Sequence, residues 1–166
     1  LGFDSNDVWS VTIQAGDNGK TRFDAGVYDS LRRGLAELPE VSGIAFASFE
    51  PYAFSTYASD MRRDAKAPQV HTEMIEADDA LAGVLGLNLV EGRWFSALDN
   101  GSAARPVVIN RRMAEAMFPG VRAVGQQFID GEGGKTTVAY RVVGVVDEFR
   151  AKGEFEAPVN FAFQRF

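Results

Sequence analysis

Apolar residues recur along this chain with two periods, and the switches between them mark out its elements. Val8-Trp9-Ser10-Val11-Thr12-Ile13-Gln14 has a strand's β-branched and aromatic content and runs into the turn-forming Ala15-Gly16-Asp17-Asn18-Gly19. Phe23, Val27, Leu31, Leu35 and Leu38 then recur at helical spacing, which predicts a helix from about Arg22 to Leu38, stopped by Pro39. Val41 to Phe49 reads as a second strand, and the order predicts a β-α-β unit with parallel strands. From Glu50 to Pro68 the pattern dissolves into Pro, Ser, Tyr, Ala and charge, which predicts an irregular crossing into a second subdomain.

Beyond that crossing the elements are shorter. Gln69 to Glu76 alternates like a half-buried strand, Asp78 or Asp79 can cap a short helix through about Leu85, and Gly86 supplies its stop. Leu87 to Phe95 reads as a strand-like piece followed by a turn, and Pro106 to Ile109 as a short buried strand. Asn110 is placed to cap a helix from Arg111 to Phe118, ended by Pro119-Gly120. Gln126 to Ile129 and Val138 to Val146 read as the arms of a hairpin, and Pro158 to Phe163 as a closing strand.

The hairpin's connection, DGEGGKTT from Asp130 to Thr137, ends in the Gly-Lys-Thr that closes a phosphate-binding P-loop. The first glycine of that motif, which lets successive N–H groups turn toward phosphate, falls on Ile129 here. A strand's composition follows the lysine where a P-loop needs a helix. The stretch therefore reads as a glycine-rich hairpin tip.

Composition narrows the function classes. The 46% hydrophobic content of these 166 residues argues for a folded core, of one domain or two small subdomains. A net charge of −6 with only isolated arginine pairs argues against a nucleic-acid surface. The absence of cysteine removes disulfides and thiolate chemistry. No apolar run approaches the length of a membrane span, so the piece reads as soluble. Its start at Leu1-Gly2-Phe3 suggests a part cut from a longer chain, with membrane segments outside it.

The order of the pieces, from end to end, resembles the extracytoplasmic core domain of MacB/FtsX-like ABC transporter permeases. Leu1-Gly2-Phe3-Asp4 with Asn6-Asp7-Val8 looks like the segment that follows the family's first transmembrane helix. Leu31 through Leu38-Pro39-Glu40-Val41 is similar to the helix ending in "LR.LPGV", with Glu40 in place of glycine. Leu85-Gly86-Leu87, Leu89, Glu91-Gly92-Arg93 and Phe95 match "LG..L..GR.F". Pro106 to Asn110 and Met117 to Gly120 match "PVVIN...A..LFPG", Val124-Gly125-Gln126 stands where "PIG" is usual, and Val142 to Asp147 is close to "VVGVV.D".

The resemblance implies an α+β fold: a porter-like β-α-β subdomain from residues 1–50 and 148–166, and an inserted β-rich subdomain from 51–147. A further β-α-β stretch normally follows in the family, so the first subdomain is expected to be incomplete here. The implied protein is anchored in the inner membrane with this domain in the periplasm. It would transmit motion driven by a cytoplasmic ATPase through a permease homodimer or heterodimer, and dock a periplasmic adaptor, during export or during lipoprotein or peptide handling in the envelope. The isolated piece is expected to be monomeric, without cofactor, metal or catalytic residue. A free-standing extracytoplasmic ligand-binding module is the competing class.

Three groups of residues stand out as candidates for chemistry or contact. Glu73, Glu76, Asp78 and Asp79 form the densest acidic run, readable as a hydrolase's carboxylates or a calcium site, or as a solvated strand edge with a helix cap. His71, the only histidine, cannot make a zinc site from imidazoles, and counting alone does not separate a spatial triad from a surface position. Tyr52, Phe54 and Tyr57 crowd three aromatics into six positions, equally suited to a partner surface or to packing between subdomains, while Trp94 and Phe95 are expected in the core. Lys135 at the hairpin tip completes the set of candidate partner residues.

Overall fold

The computed structural model describes residues 2–13, 23–52, 56–130 and 138–166. Among them lie helix α1 (Ala25–Ala36), strands β1 (Tyr57–Arg62) and β2 (Val70–Ala77), helix α2 (Leu81–Val84), strands β3 (Leu89–Gly92) and β4 (Arg105–Asn110), helix α3 (Arg111–Met117), and strands β5 (Gln127–Asp130), β6 (Val138–Val146) and β7 (Phe161–Arg165). The fold is α+β, and all seven strands share one sheet in the order β3-β6-β4-β7-β2-β1-β5.

That sheet closes on itself. β5 pairs antiparallel with β1 through Met61 opposite Asp130, and also with β6 through Gln127 opposite Arg141 and Asp130 opposite Val138. Six strands thus form a ring, β1-β2-β7-β4-β6-β5, whose closure satisfies edge groups that would otherwise need capping. β3 lies outside it, on the edge of β6 beyond β5.

Because side chains alternate across a strand, successive residues feed two cores. Met74, Val107, Ile109 and Ala162 join Met61 and Phe128 from the closing strands inside the ring, where Met113 and Met117 of α3 seal them. Ile75, Val108, Phe161 and Phe163 point outward, against Trp94, Phe149 and their neighbours. β7 runs parallel to β2 and antiparallel to β4 in the middle of the sheet, so both of its faces are covered and its first three residues, Phe161 to Phe163, are apolar without alternation. The strand that the sequence groups with the chain's N-terminal part therefore hydrogen-bonds to strands from the middle of the chain.

The short elements form where local chemistry demands. Asn110 Oδ1 accepts the Met113 N–H at 3.0 Å and caps α3, and Gly120 follows with φ +73°. Asp24 caps α1 by accepting from Val27 N–H at 3.0 Å. The two arms expected of the hairpin are β5 and β6. A strand follows residue 137 where a P-loop requires a helix, and the tip itself, 131–137, lies outside the described residues.

Four expectations need correction. Residues 8–13 form no strand: Trp9 is 91% and Val11 80% exposed, and among the described residues 9–13 make no backbone hydrogen bond to another segment. Gln14 lies outside the described residues. Among the described residues Val41 to Phe49 makes a single bridge, Ala47 to Ala77, and no β-α-β pairing is seen; extended backbone becomes a strand only when a neighbour accepts and donates its hydrogen bonds. The helix is shorter than its apolar spacing, and none of its residues is buried, so the Val27-Leu31-Leu35 stripe is not a core face. Conversely, β1 forms where irregular chain was expected. Tyr-Ala-Ser-Asp-Met-Arg has little β propensity, and Met61, fully buried, is its only buried residue.

Candidate partner-facing site

The four candidate contact residues do not form one cluster. Phe54 and Lys135 lie outside the described residues. Tyr57 opens β1 opposite Met74, half exposed, with its ring edge-on to Phe49 at 5.4 Å. Tyr52 sits on the loop before β1 with φ +67°, a left-handed conformation that costs a bulky residue energy and persists only where its surroundings enforce it.

Those surroundings are visible. The Tyr52 N–H donates to the Ala151 carbonyl at 2.6 Å, its ring meets Phe3 edge-on at 5.9 Å, and it lies against the bare Cα of Gly153. Phe3 in turn packs on Phe149, which packs on Phe161 and Phe163, and Phe163 on Trp94. Tyr52 is thus the half-exposed end of an aromatic chain running through the outer core. Tyr52 is packed on one side and 48% exposed, and Tyr57, against Phe49, is 56% exposed.

The acidic run separates rather than converges. Glu73 accepts from Thr56 Oγ1 at 2.9 Å and from Lys152 Nζ at 2.6 Å, and its side chain is nearly covered, so it is no solvated edge. Glu76 meets Gln164 Nε2. Asp78 Oδ1 accepts the Ala80 N–H at 3.0 Å while its Oδ2 accepts from Arg32, and Asp79 takes both a 2.6 Å and a 2.7 Å hydrogen bond from the Arg165 guanidinium. The N-cap of α2 is Ala80, so Asp78 turns the chain into the helix rather than capping it. Among the described residues no three acidic or imidazole side chains come together in a way that would hold a metal ion. His71 is an exposed strand residue whose Nδ1 lies 3.0 Å from Asp60 Oδ1 on the facing strand.

Other polar residues, of which the sequence singled out only Asn110 as a cap and Arg93 as part of a motif, do more to fix the structure. Arg93 donates two hydrogen bonds of 2.7 Å to Asp99, whose side chain is fully buried and also accepts the Ser96 N–H at 3.0 Å. The Arg93 hydrogen bonds hold the Asp99 carboxyl below the usual carboxylate range against the opposing effect of burial. Buried Asn110 bridges three elements: besides capping α3, it donates to the Val159 carbonyl at 2.8 Å and accepts the Phe161 N–H at 3.1 Å. The Tyr140 hydroxyl, raised in pKa by burial, donates to Gln164 Oε1 at 3.2 Å. Asn110, Tyr140 and Gln164 are polar residues in or at the end of apolar strand runs, a signal that could have marked them; Arg93 and Asp99 lie in mixed sequence that carries no such mark.

Two motif glycines acquire a physical reason. Gly92 pairs with Gly144 where β3 crosses β6. A Cβ on Gly92 would lie 2.3 Å from the Val143 carbonyl oxygen, and one on Gly144 would lie 2.2 Å from that of Arg93. The backbones approach too closely for any side chain there. Two open hollows, one along the Val27-Leu31-Leu35 stripe and one beside Phe118 at the end of α3, are lined by neither Tyr52 nor Tyr57.

Comparison with known proteins accords with this architecture. The pattern of the family described as MacB-like periplasmic core domain matches residues 2–163. The extracellular domain of the noncanonic ABC-type transporter YknZ from Gram-positive bacteria is similar in structure, with a TM-score of 0.57 at 17% identity over 83% of this chain. The periplasmic region of MacB from Actinobacillus actinomycetemcomitans aligns over 80% of the chain at 18% identity, with a TM-score of 0.49. The chain spans 62% and 53% of the lengths of those two solved chains. No curated protein matches it. Among the described residues no helix is long and apolar enough to cross a membrane.

Proposed function

Because the chain belongs to the MacB-like periplasmic core domain family, we propose that it is the extracytoplasmic part of an ABC transporter permease and acts as a transmission and docking element. The observation that carries this reading is the family match, which runs over residues 2–163. The closed ring supports it physically: a body whose strands hydrogen-bond all the way round moves as one piece, as a transmitting element must. ATP would be hydrolysed by a partner in the cytoplasm, and two permease chains in the inner membrane would carry the motion outward during export or envelope lipoprotein handling. A periplasmic adaptor would dock on the outer surface, with Tyr52, Phe54 and Tyr57 before and at the start of β1 and Lys135 between β5 and β6 as candidate contacts.

The proposed division keeps a porter-like part in residues 1–50 and 148–166 and an inserted part in 51–147. Phe161–Arg165, pairing within the ring, would tie the two together. Glu73 and Asp78, the carboxylates a hydrolase would need, are both engaged in ion pairs, with Lys152 and Arg32.

The test uses the full-length permease assembled with its ATPase in a bilayer. Spin labels introduced at Phe155, 97% exposed, in each of the two chains should report different separations with ADP and with a non-hydrolysable ATP analogue. One unchanged separation in every nucleotide state of an actively hydrolysing transporter would refute the transmission role.

A further inference from the structure

All of the sulfur in these 166 residues lies in one place. The sequence has no cysteine and four methionines, and Met61 from β1, Met74 from β2, and Met113 and Met117 from α3 all belong to the core inside the ring. Met74 is the most exposed of them, at 8%. The core outside the ring is built around Phe3, Trp94, Phe95, Phe149, Phe161 and Phe163 and holds no methionine.

The segregation has a packing cause. Where a sheet closes on itself the interior is narrow and irregular, and the unbranched, flexible methionine side chain adapts to such space more readily than a ring or a branched chain. Met113 and Met117, one turn apart, enter from the same face of α3, and Phe118 follows them into the same core.

Without cysteine, the thioether is the chain's most readily oxidised group. A peroxide transfers one oxygen atom to it: the sulfur lone pair forms the S–O bond, the O–O bond breaks, the sulfur is oxidised and the peroxide leaves as water. The product is a polar sulfoxide, which needs a hydrogen-bond donor when buried. Within the inner core the one side-chain donor is the Tyr140 hydroxyl, already given to Gln164 Oε1 at 3.2 Å. A sulfoxide at any of the four positions therefore has no side-chain partner in the closed ring.

We propose that the inner core is a fold-gated oxidation site. While the ring is closed, its four thioethers are out of reach of a peroxide. A copy whose ring opens exposes all four together, is oxidised, and does not close again until the sulfoxides are reduced. Peroxide thus spares folded copies and removes opened ones from the folded pool. The inference stands on this chain's own sulfur and does not rest on the transporter reading.

The test treats the 166-residue chain with hydrogen peroxide at neutral pH and follows each methionine by peptide mass spectrometry. Trp9→Met, at a position 91% exposed, supplies a reference thioether in the same molecule. The four native methionines should oxidise together, and more than about a hundredfold more slowly than the reference, because a domain of ordinary stability is open for less than about one part in a thousand of the time. Their rates should rise with urea in step with the loss of circular dichroism, while the reference rate stays level. Chain oxidised in urea and returned to buffer should lack a cooperative melt and regain it after enzymatic reduction of the sulfoxides. Any of the four oxidising at the reference rate in the folded chain, or an oxidised chain that melts as the parent does, would overturn the proposal.

Discussion

The ring and α1 are held by opposite means. Every ring strand has hydrogen-bonded neighbours on both sides, and its side chains enter one of two cores. α1 has a good cap and helical spacing, yet has no buried residue, and among the described residues it is attached through Arg32 and the aromatic contacts of Tyr28. The difference teaches that an apolar stripe at helical spacing does not by itself say how firmly a helix is held; the partner face decides. It also separates stability from placement, since the ring sets the first and Arg32 the second.

The comparison can be broken most sharply in the ring. Phe163, fully buried among Phe149, Phe161 and Trp94, should cost about 3–5 kcal/mol when changed to Ala, whereas Leu35→Ala on α1 should cost less than about 0.5 kcal/mol. Urea unfolding curves of both variants read this directly, and equal losses would erase the distinction. Next in size is Asn110→Ala, expected at roughly 2–3 kcal/mol because it strands the Phe161 N–H and the Val159 carbonyl and uncaps α3.

Asp99→Asn should cost on the order of 1–2 kcal/mol at neutral pH and also change the acid response. The folded Asp99 pKa is depressed, first by its hydrogen bonds from Arg93, so its stabilisation is complete above the unfolded carboxylate pKa. It is lost as pH falls through the folded value. Between about pH 5 and pH 2 the parent chain should therefore lose more stability than Asp99→Asn, in melts taken across that range. Parallel losses would mean that Asp99 is not the group responsible. The smallest effect is expected at Trp9→Ser, within about 0.5 kcal/mol because the ring is almost wholly exposed.

How much of this was legible follows from where the information lies. β2, β4, β6 and α3 were readable because their burial is written into their own residues: alternation in Val70–Ala77, continuous apolar runs in the strands beneath α3, and Asn110 ahead of a helical pattern. β1 was not, since it forms by closing a ring whose other members come from far along the chain, and its own side chains carry almost no signal. The opposite error occurred at Val8–Ile13 and Val41–Phe49, where strand composition is present but pairing partners are not. The family resemblance was legible in motif order, and the Gly92–Gly144 crossing explains two of those motifs as a steric requirement. The candidate site was legible only as a cluster in sequence; the fold gives Tyr52 and Tyr57 different neighbours, Phe3 for one and Phe49 for the other.

Residue-resolved amide exchange of the unmodified chain under native conditions, repeated at low urea concentrations, tests the central contrast most directly. Amides of Val108, Val142 and Phe163 in the ring should exchange only through global unfolding, with protection that falls steeply as urea rises. Those of Leu31 and Leu35 should exchange through a smaller opening nearly independent of urea. If α1 and the ring shared one protection level and one urea dependence, the account of a rigid ring carrying a lightly held helix would be wrong.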